Sequence, residues 1–315
     1  MTSQLQIVAE GLRFPEGPIA LPDGRVLVVE IEGQALTAVL PDGKLEVIAE
    51  LDGGPNGAAL GPDGWVYVCN SGGWLYADET LDTGTIRRNT AQNPRRGWIE
   101  RIRLSDGTVE RLHEEYEGLL LGSPNDIVFD DHGGYYFTDH GKRSATALEY
   151  GSVYYAPPNS SSLIKCVGSM ITPNGLGLSA DAKTLYVAET VTRRLWAFDL
   201  ISPGKIAPKP WPSSNGGRLV AGLTDNNLLD SLALDAKGHV CVACLFHGGI
   251  WVISPDGIER HHTAMPDLMT TNICFGGESM RSAFVTLSST GRLARLVWDT
   301  PGQPLPFLNY QPQFH

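Results

Sequence analysis

NDIVFDDHGGYYFTD, residues 125–139, opens on an amide, runs through an apolar stretch, turns on DDHGG and returns as β-rich YYFTD. The same grammar recurs five more times: EGPIALPDGRVLVVE from Glu16, NGAALGPDGWVYVCN from Asn56, NGLGLSADAKTLYVAE from Asn174, DSLALDAKGHVCVAC from Asp230 and NICFGGESMRSAFVTL from Asn272. The openings lie 40–69 residues apart, near the period of a four-stranded propeller blade with insertions in two places. Turns such as PDG at 22–24 and 62–64 have hairpin composition, with glycine available for positive φ. The repeat therefore predicts an all-β chain, a six-bladed β-propeller formed as a single domain over 1–315.

Further strand pairs fill each blade: LTAVLP with KLEVIAEL, GWIERIRL with TVERLHEE, GSVYYAP with SLIKCVG, RLWAFDL with GRLVAGL, and GIWVISP with IERHHTA. Runs such as TLYVAE are apolar on both sides, as expected of sheets covered on both faces by neighbouring blades. The sixth blade is short of one strand, and LQIVA at the N-terminus is predicted to supply it and close the ring. The Pro-rich stretch 201–217 leaves the repeat in phase on either side, so it reads as an elaborated hairpin of blade four rather than a linker. TPGQPLPFLNYQPQF, near the C-terminus, is predicted to pack over one end of the ring.

Composition narrows the partners. A net charge of -11 argues against nucleic acid or an anionic membrane surface and favours a cation. The absence of a signal-like start and of long apolar runs leads us to expect a cytoplasmic protein without a membrane span. Five cysteines make a sparse, odd set, consistent with a reducing compartment. Cys241 and Cys244 sit three apart in a strand-like run and so face opposite ways, reading as buried small hydrophobes rather than a redox or zinc pair.

In a propeller the first strand of each blade lines the central channel. The residues at its head, Glu16, Asn56, Asn125, Asn174, Asp230 and Asn272, all carry side-chain oxygen and none carries sulfur or imidazole. Each alone could be ordinary turn chemistry. Six in phase, ahead of strands whose hairpins come later, predict a central site for a hard cation such as calcium. Because strand two ends where strand one begins, Glu30, Asn70, Trp74, His140, Glu189, His247 and Ser288 are predicted to surround the entrance. His261 and His262 are predicted to face solvent from an outer strand. The insertion 75–97 lies on the same face as a candidate lid, and its Arg87, Arg88, Arg95 and Arg96 read either as an attractor for an acid product or as a solvated charged segment.

FPEGP, SPNDIVFDDHGGYYFTD, TPNGLGLSADAKTLYVAE and LDSLALDAKGHVCVAC, in that order, resemble the motifs of the senescence marker protein, gluconolactonase and luciferin-regenerating family across nearly the whole chain. The resemblance implies one axial divalent cation, with calcium expected and zinc or manganese as alternatives, held by Glu16, Asn125, Asn174 and Asp230. It implies a small-molecule lactone or ester as substrate, a metal-dependent hydrolase, and Asp230 as general base or nucleophile, of which we favour the base. Asn56, Trp74, His140, His247 and Asn272 are the expected substrate contacts. Two positions depart from the family: Ser231 stands where glycine is common, and Ser123 where the sugar-acid lactonases often carry arginine. The second departure and Trp74 direct the expectation away from a sugar lactone, toward a flatter or more apolar one. The rival readings are an organophosphate hydrolase like the diisopropyl-fluorophosphatases, and a non-catalytic propeller that binds partners and is only stabilised by calcium.

Overall fold

The computed structural model describes residues 5–81 and 84–313; residues 82–83 of the predicted insertion, Phe314 of the predicted cap, residues 1–4 and His315 lie outside the described residues. Among the described residues, six antiparallel sheets of four or five strands follow one another along the chain, with two further two-stranded sheets. Blade one comprises Pro15–Ala20, Val26–Glu30, Ala35–Val39 and Leu45–Glu50. Blade two comprises Pro55–Leu60, Val66–Asn70, Trp98–Ile102 and Val109–His113. Blades three, four and five begin at Pro124–Phe129, Pro173–Leu178 and Asn227–Leu234. In blade six, Thr270–Gly276, Ser282–Leu287 and Arg292–Val297 are completed by Gln6–Glu10, which pairs antiparallel with Arg292–Val297. That pairing joins the two ends of the chain in one sheet, and the fold is a six-bladed β-propeller.

The core is divided between the blades. Val128, Tyr136 and Val153 of blade three pack on Leu176, Leu185 and Phe198 of blade four. Equivalent apolar layers lie between blades four and five, five and six, six and one, one and two, and two and three. Each sheet thus buries both faces, which explains why second strands such as Val26–Glu30 are apolar throughout apart from their last residue. Cys241 lies in the layer between blades five and six, and Cys241 and Cys244 are both buried and free.

Two irregular segments fall as predicted. Residues 201–217 extend the hairpin of blade four, where Arg194–Ser202 pairs with Lys205–Ile206 and then with Arg218–Gly222. The C-terminal segment crosses the end of the ring away from the entrance: Gln303 donates to Leu178 O (2.9 Å), Phe307 is buried against Phe129, and Tyr310 hydrogen-bonds Asp131 (2.5 Å). Among the described residues no helix is long and apolar enough to cross a membrane.

Candidate active site

The predicted oxygen-bearing residues share a backbone irregularity. Pairing between the first and second strands runs Pro124↔Asp139 and then skips to Ile127↔Phe137, and the same slip occurs at Asn56, Asn174 and Asp230, just after Glu16 and just before Asn272. A bulge re-aims the side chain it carries. The neighbouring blades also approach closely there. A Cβ on Gly57 would sit 2.5 Å from Asn125 O, and one on Gly175 would sit 2.6 Å from Asp230 O. At Gly17, Gly57 and Gly175 glycine after the oxygen-bearing residue therefore serves close packing between first strands, beyond its use in turns, whereas Asp126, Ser231 and Ile273 hold that position in the other three blades. Blade six closes on blade one through Asn272 Nδ2, which donates to Glu16 Oε2 at 2.7 Å.

Glu16, Asn56, Asn125, Asn174 and Asp230 line one cavity of about 170 Å³, together with Trp74 and His140. Larger clefts, of about 950 and 860 Å³, run between outer strands and contain none of these oxygens. Asn272 lies further along the axis, in a cavity of about 90 Å³ that Asp126 also lines and that Gln303 and Leu305 cap.

Among the described residues the carboxyls here are buried without an ion-pair partner, although Arg88 and Arg143 line the same cavity as Glu16 and Asp230. Burial pushes Glu16 up to about 7, against the opposing hydrogen bonds from Asn272 and the Gly17 amide. Burial, followed by the charge of Glu16, pushes Asp126 up to about 8 and also raises Asp230. No lysine or arginine is among the leading causes of the three shifts. Asn125 Oδ1 and Asn174 Oδ1 are buried with no hydrogen-bond partner, while Asn174 Nδ2 donates to Thr190 Oγ1 at 3.1 Å. An unsatisfied buried acceptor costs about 1–3 kcal/mol. Two carboxylates and two orphaned amide oxygens around one cavity fit the donor chemistry of a hard divalent cation. Among the described residues no group of three or more His, Cys, Asp or Glu side chains is arranged to hold a metal, so the candidate set rests on this mixture of acids and amides.

The entrance differs from the sequence expectation in several places. Trp74 and His140 meet edge to face at 6.4 Å, and burial, then Arg143 and Lys142, push His140 down to about 3, so its ring is neutral. His247 is exposed, packs on His262 at 4.7 Å and does not line the cavity. His262, predicted to face solvent, is half-buried against Trp251. Glu30, Asn70, Glu189 and Ser288 do not line the cavity either; they are buried and hold backbone. Glu30 accepts from Arg13 N (2.6 Å), Asn70 from Gly54 N (2.8 Å) and Glu189 from Ile171 N (2.7 Å), while Ser288 Oγ donates to Pro15 O (2.6 Å). Asp139 does the same in blade three, accepting from Gly122 N and Ser123 N. The ends of the second strands thus fix the segments leading into the first strands, which sets the aim of the oxygens.

The predicted insertion is a β-hairpin, Trp74–Leu81 paired with Gly84–Gln92, and its Arg88, Asn89 and Thr90 reach the cavity. Gln92 donates to Gly141 O (3.2 Å) and accepts from Arg143 N (2.6 Å), and Lys142 Nζ donates to Ser71 O and Asn93 O, both at 3.0 Å. All four insertion arginines are paired: Arg87 with Glu32 and Asp78, Arg88 with Glu79, Arg95 with Asp52 and Arg96 with Glu149. Sequence reasoning missed Asp126, whose only signal is that it stands where three other repeats have glycine. It also missed the apolar lining from Phe14, Ile31, Leu228, Leu245 and Met269.

The sequence profile of the SMP-30/Gluconolactonase/LRE-like region matches residues 14–289. A lactonase drp35 of Staphylococcus saprophyticus is 29% identical over 265 residues, 83% of this chain and 72% of that protein. Among solved structures, a gluconolactonase from Xanthomonas campestris superposes with a TM-score of 0.74 at 23% identity, over 95% of this chain and 90% of that one. A calcium-binding protein, regucalcin, from Agrobacterium tumefaciens does so with a TM-score of 0.70 at 18% identity, over 98% of each chain. At such identities the structural likeness speaks for the fold alone.

Proposed function

Because the chain belongs to the SMP-30/gluconolactonase/LRE-like family, we propose that it hydrolyses a small lactone with the help of one divalent cation, calcium first, held by Glu16, Asn125, Asn174 and Asp230. The observation that carries this reading is the convergence of two buried carboxyls that form no ion pair and two orphaned amide oxygens on one cavity. A cation bound there supplies Lewis-acid polarisation of the ester carbonyl. The naming of one relative as a lactonase and of one structural neighbour as calcium-binding supports the same choice of chemistry.

The chain's own groups then have distinct tasks. Asp230 takes a proton from water as the water oxygen bonds to the carbonyl carbon. The ring C–O bond breaks, the proton passes to the departing oxygen, and the product is a hydroxy acid. Asn272, bonded to Glu16, orients that carboxylate rather than the substrate. His140 stays neutral and can hydrogen-bond an ester oxygen without adding charge, with Trp74 against its edge and Asn56 on the same wall.

Lactone turnover measured by product acid tests the proposal. Activity is expected to vanish in chelator and return with calcium, zinc or manganese. Asp230→Asn should lose at least 100-fold in kcat while remaining folded. Lactone turnover indifferent to complete metal removal would refute the cation's role. A faster rate on a phosphotriester run in parallel would favour organophosphate hydrolysis, and no turnover of either class would favour a binding module.

A further inference from the structure

The cavity wall is divided by chemistry. Phe14 and Ile31 from blade one, Leu245 from blade five and Met269 from blade six form a buried apolar cluster, with Leu228 of blade five and Trp74 and Tyr76 of the blade-two hairpin packed against it. Blades five, six and one are consecutive around the ring. The other half, from the hairpin of blade two and from blades three and four, presents Asn89, Thr90, His140, Arg143 and Thr190 beside Trp74 and Val191, and the first half also carries the oxygens of Glu16, Thr271 and Asp230. A compact polyol such as a sugar lactone would set some of its hydroxyls against these apolar side chains, away from water.

Two phenylalanines that line this cavity are held in the left-handed region. Phe14 has φ 58° and Phe246 has φ 65°, a conformation that a bulky residue takes at a cost and that glycine or asparagine takes readily. Phe246 also lines the cavity while 41% exposed. Folding gains little from an aromatic ring kept in water on a strained backbone, and such strain gathers at ligand-binding positions.

We infer that the channel selects lactones bearing an apolar substituent on the ring carbon next to the ester oxygen, laid on the wall of blades five, six and one, with Phe246 as the outer contact. This rests on the lactonase reading above. The cavity, at about 170 Å³, is close to the roughly 150 Å³ that admits benzene in an engineered apolar cavity. A lactone ring fits within it, and a chain of several carbons extends along the wall to the rim.

The experiment compares kcat/KM for γ-butyrolactone, γ-caprolactone, γ-octalactone and glucono-δ-lactone with calcium present. Each methylene on the wall is expected to raise kcat/KM about fourfold, and γ-octalactone should exceed glucono-δ-lactone by about 100-fold or more. Phe246→Asn, which suits the left-handed backbone, should shrink the octalactone-to-butyrolactone ratio about tenfold. As a readout independent of turnover, alkyl-substituted γ-lactams titrated calorimetrically into the metal-free protein should bind more tightly as the chain lengthens. Lactones hydrolysed at rates flat with chain length, or fastest for glucono-δ-lactone, would overturn the inference and leave the lactonase reading standing. With no lactone hydrolysed at all, that reading falls and the lactam series alone decides: a flat series overturns the apolar wall, a rising one supports it.

Discussion

Replacing Glu16 with glutamine should stabilise the metal-free protein and destabilise the calcium-loaded one relative to wild type. Burial lifts the Glu16 carboxyl from 4.5 to about 7. Below about pH 4.5 the group is protonated folded and unfolded, and contributes nothing. As pH rises toward 7 the unfolded chain gives up its proton first, so the metal-free fold loses stability. Above 7 the loss is complete, at about 3 kcal/mol. Glutamine removes that charge and can keep both hydrogen bonds, because the Gly17 amide and Asn272 Nδ2 donate to the same oxygen, Oε2. In chelator at pH 8, Glu16→Gln should therefore melt above wild type, by about 5 °C for a chain of this size, and the gap should close by pH 4.5. With calcium at about a thousand times its dissociation constant, wild type gains about 4 kcal/mol. The variant gains far less, so the order reverses. Differential scanning calorimetry across this grid is the assay. A variant less stable than wild type in chelator at pH 8 would refute the argument that Glu16 is a buried charge without an ion-pair partner.

Gly175→Ala puts a methyl group 2.6 Å from Asp230 O and Ser231 Cα, so it should displace the head of blade five, cost about 1–3 kcal/mol by chemical denaturation and weaken calcium affinity at least tenfold by calorimetry. Lys142→Met removes the two bonds from Nζ to Ser71 O and Asn93 O; it should speed hydrogen exchange in the 84–92 strand and raise KM about threefold to tenfold, with a smaller change in kcat.

The fold was readable because the blade repeats in sequence what it repeats in space. PDG and DDHGG mark the inner hairpins, and doubly apolar strands such as TLYVAE announce burial on both faces. The N-terminal closure followed from a missing strand in blade six, which is a counting argument. The heads of the first strands were legible by type, since acids and amides in phase have few structural explanations in common. Their aim was not, because it depends on a register slip and on contacts between blades, as when Gly57 meets Asn125. Asp126 was hidden for the same reason: nothing local separates an acid in a turn from one buried beside the axis. Glu30, Asn70 and Glu189 were placed on the right face by strand geometry, but they turn back to the backbone of their own blades. His247 follows the same strand-end rule, yet the residues around it carry its ring outward onto His262. The apolar half of the wall escaped because Phe14, Leu245 and Met269 look in sequence like any other core residues.

The most direct test of the account is anomalous diffraction from crystals of the protein soaked in manganese. It predicts one peak on the propeller axis, within about 2.1–2.6 Å of oxygens from Glu16, Asn125, Asn174 and Asp230, and its loss in the Glu16→Gln variant. Density that stays featureless there, or a peak bound to other residues alone, would contradict it.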